Sequence, residues 1–497
     1  MAKKNNTTEM SGAQELYNFL FEACNILHGP VSQDNFKDYI TPILYFKRIS
    51  DVYDEETEAA LEESDGDTEY AALPEQHRFD IPEGCHWQDV RERNENLGAA
   101  IVGAMRKIEL ANPDTLYGVL SMFSAQKWTD KKNLSDGKIR DLIEHLSTRK
   151  LGNKNYPADL MGDAYEILLK KFADDSKAQA GEFYTPRSVV NLLVRILDPQ
   201  PGETVYDPAC GSGGMLIEAI QHMNHSSLCC GTIFGQEKNV VNSAIAKMNL
   251  FLHGASDFNI MQGDTLRSPK ILQNGEIAKF DCVIANPPFS LEKWGSTEWS
   301  SDKYGRNIWG TPSDSCGDYA WIQHMVKSMA PGSGRMAVVM PQGVLFRGNE
   351  EGRIREKLVK SDLVEAIVTL GDKLFYGTGL SPCFMILRRL KPAAHSARVL
   401  MIDGTKILTA KRAQNILSPE DVDRLYELYC KYEDIEDFSK VVTIDDIAAK
   451  GYDLSPNKYV NYHKEEIRPY SEVLAEFKAA YEEVLKREAE FEKLINA

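Results

Sequence analysis

The chain has no run of about 18 apolar residues, so nothing in it reads as a membrane-spanning helix. Its first residues, MAKKNNTTEM, lack the apolar core of a signal peptide. Nine cysteines include no CxxC pair, the usage expected of reduced thiols in a cytoplasm. His222, His225, Cys229 and Cys230 cluster, but at a spacing that matches no standard zinc knuckle; a helix end running into a strand explains them better, and no metal site is expected. No GxxxxGK[ST] occurs, which excludes a P-loop. There is no internal repeat. Positive charge is short: 57 Lys and Arg face 74 Asp and Glu, for a net charge of −17. That argues against a surface that grips nucleic acid all over, and leaves room for a local basic groove or a partner that supplies such contacts.

What is present divides in three. At 497 residues the chain is too long for one ordinary domain. Up to residue 155 the pattern is helical. ELYNFLFEACNIL sets Leu16, Phe19, Leu20, Ala23 and Leu27 on one stripe. FKDYITPILYFKRISDVY continues it, with Pro42 as an internal kink or boundary, and the acidic stretch 54–69 reads as a solvated face or loop. From about residue 200, short apolar runs alternate with helical segments: ETVYDP, CGTIFGQE, FNIMQGD, FDCVIANPP, GRMAVVMP, LVEAIVTLG. That alternation predicts an α/β domain over 156–465, a parallel sheet with helices on both faces. SPCFMILRR and ARVLMID are close enough to pair as a hairpin. Residues 466–497 read as one helix with a heptad-like stripe of Leu474, Phe477, Tyr481, Val484, Phe491 and Ile495; it either packs on its own domain or receives a partner helix.

The chemistry concentrates at strand ends. VYDPACGSGGMLIEA is a strand ending at Asp207, a turn of small residues holding Gly211, Ser212, Gly213 and Gly214, then a helix. Such a turn allows positive φ and close approach of a ligand to the helix N-terminus. Its spacing is not GxGxxG. Glu237 ends the next strand, 237 − 211 = 26 residues after Gly211, where an acid can hold a ribose diol. The third strand ends at Asp264, suited to an adenine amino group. Either acid alone could be a helix cap. The ordered set points to a nucleoside ligand, and the missing P-loop to one without phosphates, such as S-adenosyl-L-methionine.

The fourth strand stops at Asn286-Pro287-Pro288-Phe289. The Asn286 side-chain oxygen and the Pro287 carbonyl are two acceptors, the second aimed by rigid prolines. Together they can hold both hydrogens of an exocyclic amino group and direct its lone pair at a methyl donor. Phe289 offers a face to a planar ring. A base in a duplex reaches such a pocket only by flipping out, at roughly a few kcal/mol, of which stacking returns roughly 1–3 kcal/mol.

These residues resemble those of amino-group DNA methyltransferases, and nearly the whole chain resembles the modification (M) subunit of type I restriction-modification systems. The similarity is strongest over 181–290 and 317–390, with GYDLSPNKYV as a further match. The resemblance implies a Rossmann-like S-adenosyl-L-methionine-dependent methyltransferase domain behind a helical N-terminal domain. It implies transfer of a methyl group to adenine N6 in double-stranded DNA. The F-x-T-P loop of that family matches Phe183-Tyr184-Thr185-Pro186. By the same resemblance Glu182, Phe183, Tyr184, Thr185, Pro186 and Arg187 touch the cofactor, as do Asp207, Gly211, Ser212, Gly213, Gly214, Glu237 and Asp264; Asn286, Pro287, Pro288 and Phe289 are catalytic. It further implies a specificity (S) subunit that reads the sequence, two M per S, and a restriction (R) subunit for cleavage. A glutamine-amide methyltransferase and a non-catalytic assembly subunit are the competing readings. N4-cytosine enzymes usually carry Ser where this chain has Asn286.

Between Phe289 and Gly317 lies a long polar stretch with Trp294, Trp299 and Trp309 beside Lys293, Lys303 and Arg306. Loops of this length are usually functional or disordered. Either the stretch covers a flipped base and touches DNA, or it packs on its own domain.

Overall fold

The computed structural model describes residues 5–495, apart from 30, 32–34, 117, 121–124, 176–184, 225–231, 256, 376–379, 412–413 and 464–469. Glu182, Phe183, Tyr184, His225, Cys229 and Cys230 thus lie outside the described residues. His222, the remaining member of that cluster, meets Asp198 at 2.8 Å.

The first part is helical. The main helices are Asn5–Leu27, Lys37–Glu63, Leu97–Ala111 and Asp136–Ser147, with Pro42 inside the second. The acidic stretch is not all solvated. Glu55 turns inward and accepts the backbone N–H groups of Asn153 (2.6 Å) and Lys154 (3.1 Å). Leu16, Phe19, Leu20, Ala23 and Leu27 are buried as the stripe predicts. Their core also takes in the helix Ala158–Asp175 through Met161, Ala164, Tyr165 and Leu168, and one face of the helix Val240–Leu252.

Eleven strands follow among the described residues: β1 Val205–Asp207, β2 Ile233–Glu237, β3 Phe258–Gln262, β4 Leu272–Gln273, β5 Glu276–Ile277, β6 Cys282–Ala285, β7 Arg335–Pro341, β8 Val364–Leu370, β9 Pro382–Arg388, β10 Arg398–Gly404 and β11 Ser439–Thr443. β4 and β5 form a separate small hairpin; the other nine make one sheet in the order β11-β10-β8-β9-β7-β6-β1-β2-β3. The strands from β7 to β3 in this order run parallel, and β10 is parallel to β8. β9 and β11 are antiparallel to their neighbours.

The apolar runs are continuous because both sheet faces are covered, as parallel strands require. Side chains alternate between two cores. Val205, Cys282, Ile284, Ala337 and Val339 pack with the helices Arg187–Leu197, Gly214–Asn224 and Pro419–Lys431; Tyr206, Val283, Ala285, Met336 and Val338 pack with Asp318–Ser328 and Asn349–Lys360.

The expected hairpin of SPCFMILRR with ARVLMID does not form. β9 inserts between β7 and β8, pairing Val338 with Met385 and Ile367 with Met385, while β10 pairs with β8 on its far edge. All seven residues of β8 are buried, so both its edges need hydrogen-bonded neighbours. A direct β9–β10 pair would leave one edge bare.

The stretch 290–316 also settles on one alternative. Trp294 and Trp299 are 2% exposed and Trp309 9%, all within the core beneath the second face. Arg306 is buried over the Trp299 ring at 4.6 Å, bonded to Asp302 and to the carbonyls of Thr265 and Leu266. The indoles therefore pack on their own domain, not over a base; Lys293 and Lys303 stay exposed.

The helix Tyr470–Ile495 closes the chain. Four residues of its stripe are uncovered: Phe477, Tyr481, Val484 and Phe491 are all more than half exposed.

Candidate active site

The carboxyl ends of β1, β2, β3 and β6 share one edge of the sheet, and the chain turns from one side to the other between β1 and β6. Open parallel sheets bind ligands at such a switch point. A cavity of about 480 Å³ opens there, within the usual range for a ligand site. Glu237, Lys238, Asp264, Asn286 and Pro288 line it, together with Pro208, Ala209, Asn239, Asn242, Thr265, Leu291 and Trp321.

The glycine turn after β1 has the predicted backbone. Gly211 and Gly213 sit at φ +54° and +84°, where an L side chain would strain. The Gly211 N–H donates to Glu237 Oε2 at 3.0 Å, and the Asn239 N–H donates to Oε1 at 2.6 Å. Glu237 therefore ties the first turn to the second. It is not the helix cap; Asn239 fills that role, accepting from the Val241 and Asn242 N–H groups. Close packing under the turn explains Cys210 and Gly235: a side-chain carbon at 235 would lie 3.0 Å from Cys210 Sγ and 2.6 Å from Ile260.

Asp207 is buried, its Oδ1 accepting the Ala209 N–H at 2.9 Å. Burial, reinforced by the charge of Glu237, pushes its carboxyl up to about 8. Asp264 stands two residues beyond the end of β3, caps a turn through the Arg267 N–H at 3.1 Å, and pairs with exposed Lys238 at 3.0 Å. Thr265 Oγ1 donates to the Pro208 carbonyl at 2.6 Å, tying the third loop to the first.

Asn286 projects from the end of β6. Its Nδ2 donates to Thr185 Oγ1 at 2.9 Å. Its Oδ1 is buried and has no hydrogen-bond partner among the described residues. An unmet acceptor of this kind costs about 1–3 kcal/mol, a cost that a hydrogen-bond donor entering the cavity would remove. Pro287 is buried behind it. Phe289 is half-buried and tilted against Phe375, with ring centroids 6.3 Å apart. The next residue, Ser290, takes φ +51° and donates its N–H to Asp318 Oδ1 at 2.8 Å. Asp318 is fully buried and pairs with Arg347, which also holds Glu351 at 2.6 Å. Cys316, Asp318 and Glu351 bring ligand-type atoms within 4.8 Å of one another, but the Arg347 guanidinium already pairs with both acids, so the cluster reads as an ion-pair clamp on the turn.

Of the other sequence candidates, Thr185 meets Asn286 and Pro186 caps the helix Arg187–Leu197. Arg187 points elsewhere, pairing with Asp163 at 2.9 Å beside a second cleft. Ser212 contributes its carbonyl to Asn249 Nδ2 at 3.1 Å, and Gly214 opens the helix Gly214–Asn224. Sequence reasoning missed Asn239, Asn242, Leu291 and Trp321. The first has a local signal, a capping residue just past a strand end; Trp321 comes from a helix with no local mark of a ligand site.

The cavity suits an adenosine-type cofactor. Among the described residues Glu237 and Asp264 supply its two carboxylates, and Lys238, paired with Asp264 at 3.0 Å, its one basic side chain. The family model for N-6 DNA methylase matches residues 157–467, and that for the HsdM N-terminal domain matches 16–146. The chain is 32% identical over 467 residues to the type I restriction enzyme MjaVII methylase subunit of Methanocaldococcus jannaschii, covering 90% of this chain and 78% of that one. The HindI methylase subunit of Haemophilus influenzae is 29% identical over 405 residues, 78% of this chain and 86% of that one. A solved type I restriction-modification methyltransferase subunit from Streptococcus thermophilus superposes with a TM-score of 0.76 at 25% identity, over 91% of this chain and 100% of that one. An asparagine at the end of a parallel strand, facing a nucleoside-sized cavity and found on a match of this extent, has one family to belong to: the chain is an N-6 DNA methylase, an adenine-specific DNA methyltransferase of the type I modification-subunit kind.

Proposed function

We propose that the chain methylates adenine N6 within a specific DNA sequence, with S-adenosyl-L-methionine as donor, as the catalytic modification subunit of a type I restriction-modification complex. The observation that carries this is the buried, unpartnered Asn286 Oδ1 beside the cavity. An exocyclic amino group supplies the donor that this oxygen lacks. With the Pro287 carbonyl as second acceptor, both amino hydrogens are held and the lone pair turns toward the methyl group. Phe289 stacks on the flipped base. Glu237 holds the ribose hydroxyls, Asp264 the adenine amino group, and the turn Gly211–Gly214 with Asp207 the body of the cofactor, which when bound supplies an electrophilic methyl on a sulfonium.

Residues 1–155 form the helical domain, 156–465 the methyltransferase domain and 466–497 a contact helix. Net charge of −17 fits a subunit whose partner carries much of the DNA grip. The uncovered stripe of the helix Tyr470–Ile495 fits contact with the specificity subunit. Two such chains per specificity subunit, joined by a restriction subunit, would complete the assembly. No described helix is long and apolar enough to cross a membrane.

The test is methyl transfer to target DNA by the co-purified complex. Asn286→Ala should abolish transfer and leave cofactor affinity near normal. Phe289→Trp should keep more activity than Phe289→Ala, because a π-face remains. Transfer by Asn286→Ala at a comparable rate would sink the reading.

A further inference from the structure

Asn286 does not stand alone. Its Nδ2 donates to Thr185 Oγ1 at 2.9 Å, across 101 residues of sequence. Thr185 is firmly held. Pro186 follows it and restricts its backbone to extended conformations. The Pro186 carbonyl accepts the Val189 and Val190 N–H groups at 2.9 and 3.0 Å, fastening the segment to the helix Arg187–Leu197. That helix is sunk in the sheet core through Val189, Leu192, Leu193 and Ile196. Asn286 is equally fixed in its backbone, between buried β6 and Pro287. What neither backbone fixes is rotation of the asparagine amide about its last torsion, which is broad and two-fold. One orientation presents Oδ1 as an acceptor. The other presents Nδ2, a donor facing the hydrogens of an amino group.

We infer that Thr185 is a positioning residue for Asn286: its hydroxyl accepts the amide hydrogen, holds the amide plane, and leaves Oδ1 as the free acceptor for the substrate amino group. This rests on the reading of Asn286 given above. Both ends of one amide bear on it: Nδ2 is bonded to Thr185, and Oδ1 has no partner among the described residues. In this role Thr185 acts through Asn286. It belongs to the segment assigned to the cofactor, but this hydrogen bond gives it a second task, and the two tasks separate in kinetics. Loss of a cofactor contact raises the cofactor Kd. Loss of amide positioning lowers kcat.

The experiment uses the full chain co-purified with its DNA-reading partner and compares Thr185→Val, Thr185→Ser and Asn286→Ala. Single-turnover methyl transfer gives the rate of the step, calorimetry gives the S-adenosyl-L-methionine Kd, and thermal melting verifies the fold. Thr185→Val keeps the shape and removes the acceptor. It is expected to cut the rate about tenfold, the worth of one hydrogen bond, with Kd changed by less than about threefold. Thr185→Ser keeps the hydroxyl and is expected to recover most of the rate. An unchanged rate in Thr185→Val overturns the inference. So does a loss carried by Kd alone, or a serine variant no better than valine. Asn286→Ala separates the two levels. If it is inactive while Thr185→Val is normal, only the inference falls; if it is active, the assignment of Asn286 falls and takes the inference with it.

Discussion

Asp207 makes a pH dependence that can be worked out from its surroundings. The carboxyl is 2% exposed at the end of β1. Desolvation raises it, Glu237 adds to the rise, and the Ala209 N–H opposes both; the balance lies at about 8 against an ordinary 3.8. In the folded protein the group is therefore neutral between those values, whereas in the unfolded chain it is ionised. The unfolded state binds fewer protons across that window, so stability falls as pH rises. The stability is fully present below about pH 4 and is lost progressively up to about pH 8, with a limiting slope of ~1.4 kcal/mol per pH unit. The slope is set by the single proton that the folded state keeps and the unfolded state loses; hydration of the carboxyl would shorten the window without changing the slope inside it. Asp207→Asn keeps the acceptor for the Ala209 N–H and removes the proton equilibrium. Urea unfolding of the full chain at pH 6, 7, 8 and 9 should show the asparagine variant gaining on the wild type by ~1.4 kcal/mol per unit until the pH nears 8, then levelling. A gap that does not change with pH would refute the burial argument for Asp207.

Two further outcomes follow from the geometry. Glu237→Ala should weaken S-adenosyl-L-methionine binding by about 1.5–3 kcal/mol, the range for hydrogen bonds to a charged acceptor. Calorimetry with unchanged affinity would remove Glu237 from the cofactor site. Deleting residues 466–497 should leave a folded, cofactor-binding chain that no longer co-purifies with the specificity subunit, because the exposed stripe of Phe477, Tyr481 and Val484 goes with it. Normal assembly of the truncated chain would move that contact to another surface.

Much of the fold was legible because the physics that shapes it is local. A strand buried on both faces must be apolar throughout, so VYD, IFGQE and CVIA stand out, and a polar residue ending such a run has to be at the sheet edge. Asp207, Glu237 and Asn286 were found that way. What is not local was not legible. The insertion of β9 between β7 and β8 depends on which edge needs a partner, and short sequence separation pointed to the wrong one. Tryptophans in a polar stretch suggest a ligand face; Trp299 instead lies under buried Arg306, which reaches past its neighbour Asp302 to the carbonyls of Thr265 and Leu266 some 40 residues away. Sequence alone presents Glu237 as a ribose acid or a cap. Its bonds to Gly211 and Asn239 make it also the strut between two ligand loops, a role that no single stretch of sequence displays.

The helical region is more than an appendage to the catalytic one. The helix Val240–Leu252 begins at Asn239, on the cavity wall, and its other face is part of the N-terminal core. Phe251 meets Tyr45 edge-on at 5.1 Å and Phe79 at 4.9 Å, with the Arg78 guanidinium 4.5 Å from its ring. A chain beginning at residue 156 would therefore strip Tyr45, Phe79 and Arg78 from Phe251 and uncover part of this face, the helix Ala158–Asp175 remaining in the shared core, at a cost of roughly 1.5–3 kcal/mol for each side chain left exposed. Against a domain stability of about 5–15 kcal/mol, two or three such side chains are a large fraction. The expected result is a fragment that aggregates or melts without a cooperative transition. Where it stays soluble, Asn239 and Glu237 lose their fixed spacing, and S-adenosyl-L-methionine binding by calorimetry should weaken at least tenfold. A monomeric fragment with a sharp melt and full cofactor affinity would show that the catalytic region stands without the helical one, and that the shared helix carries no coupling between them.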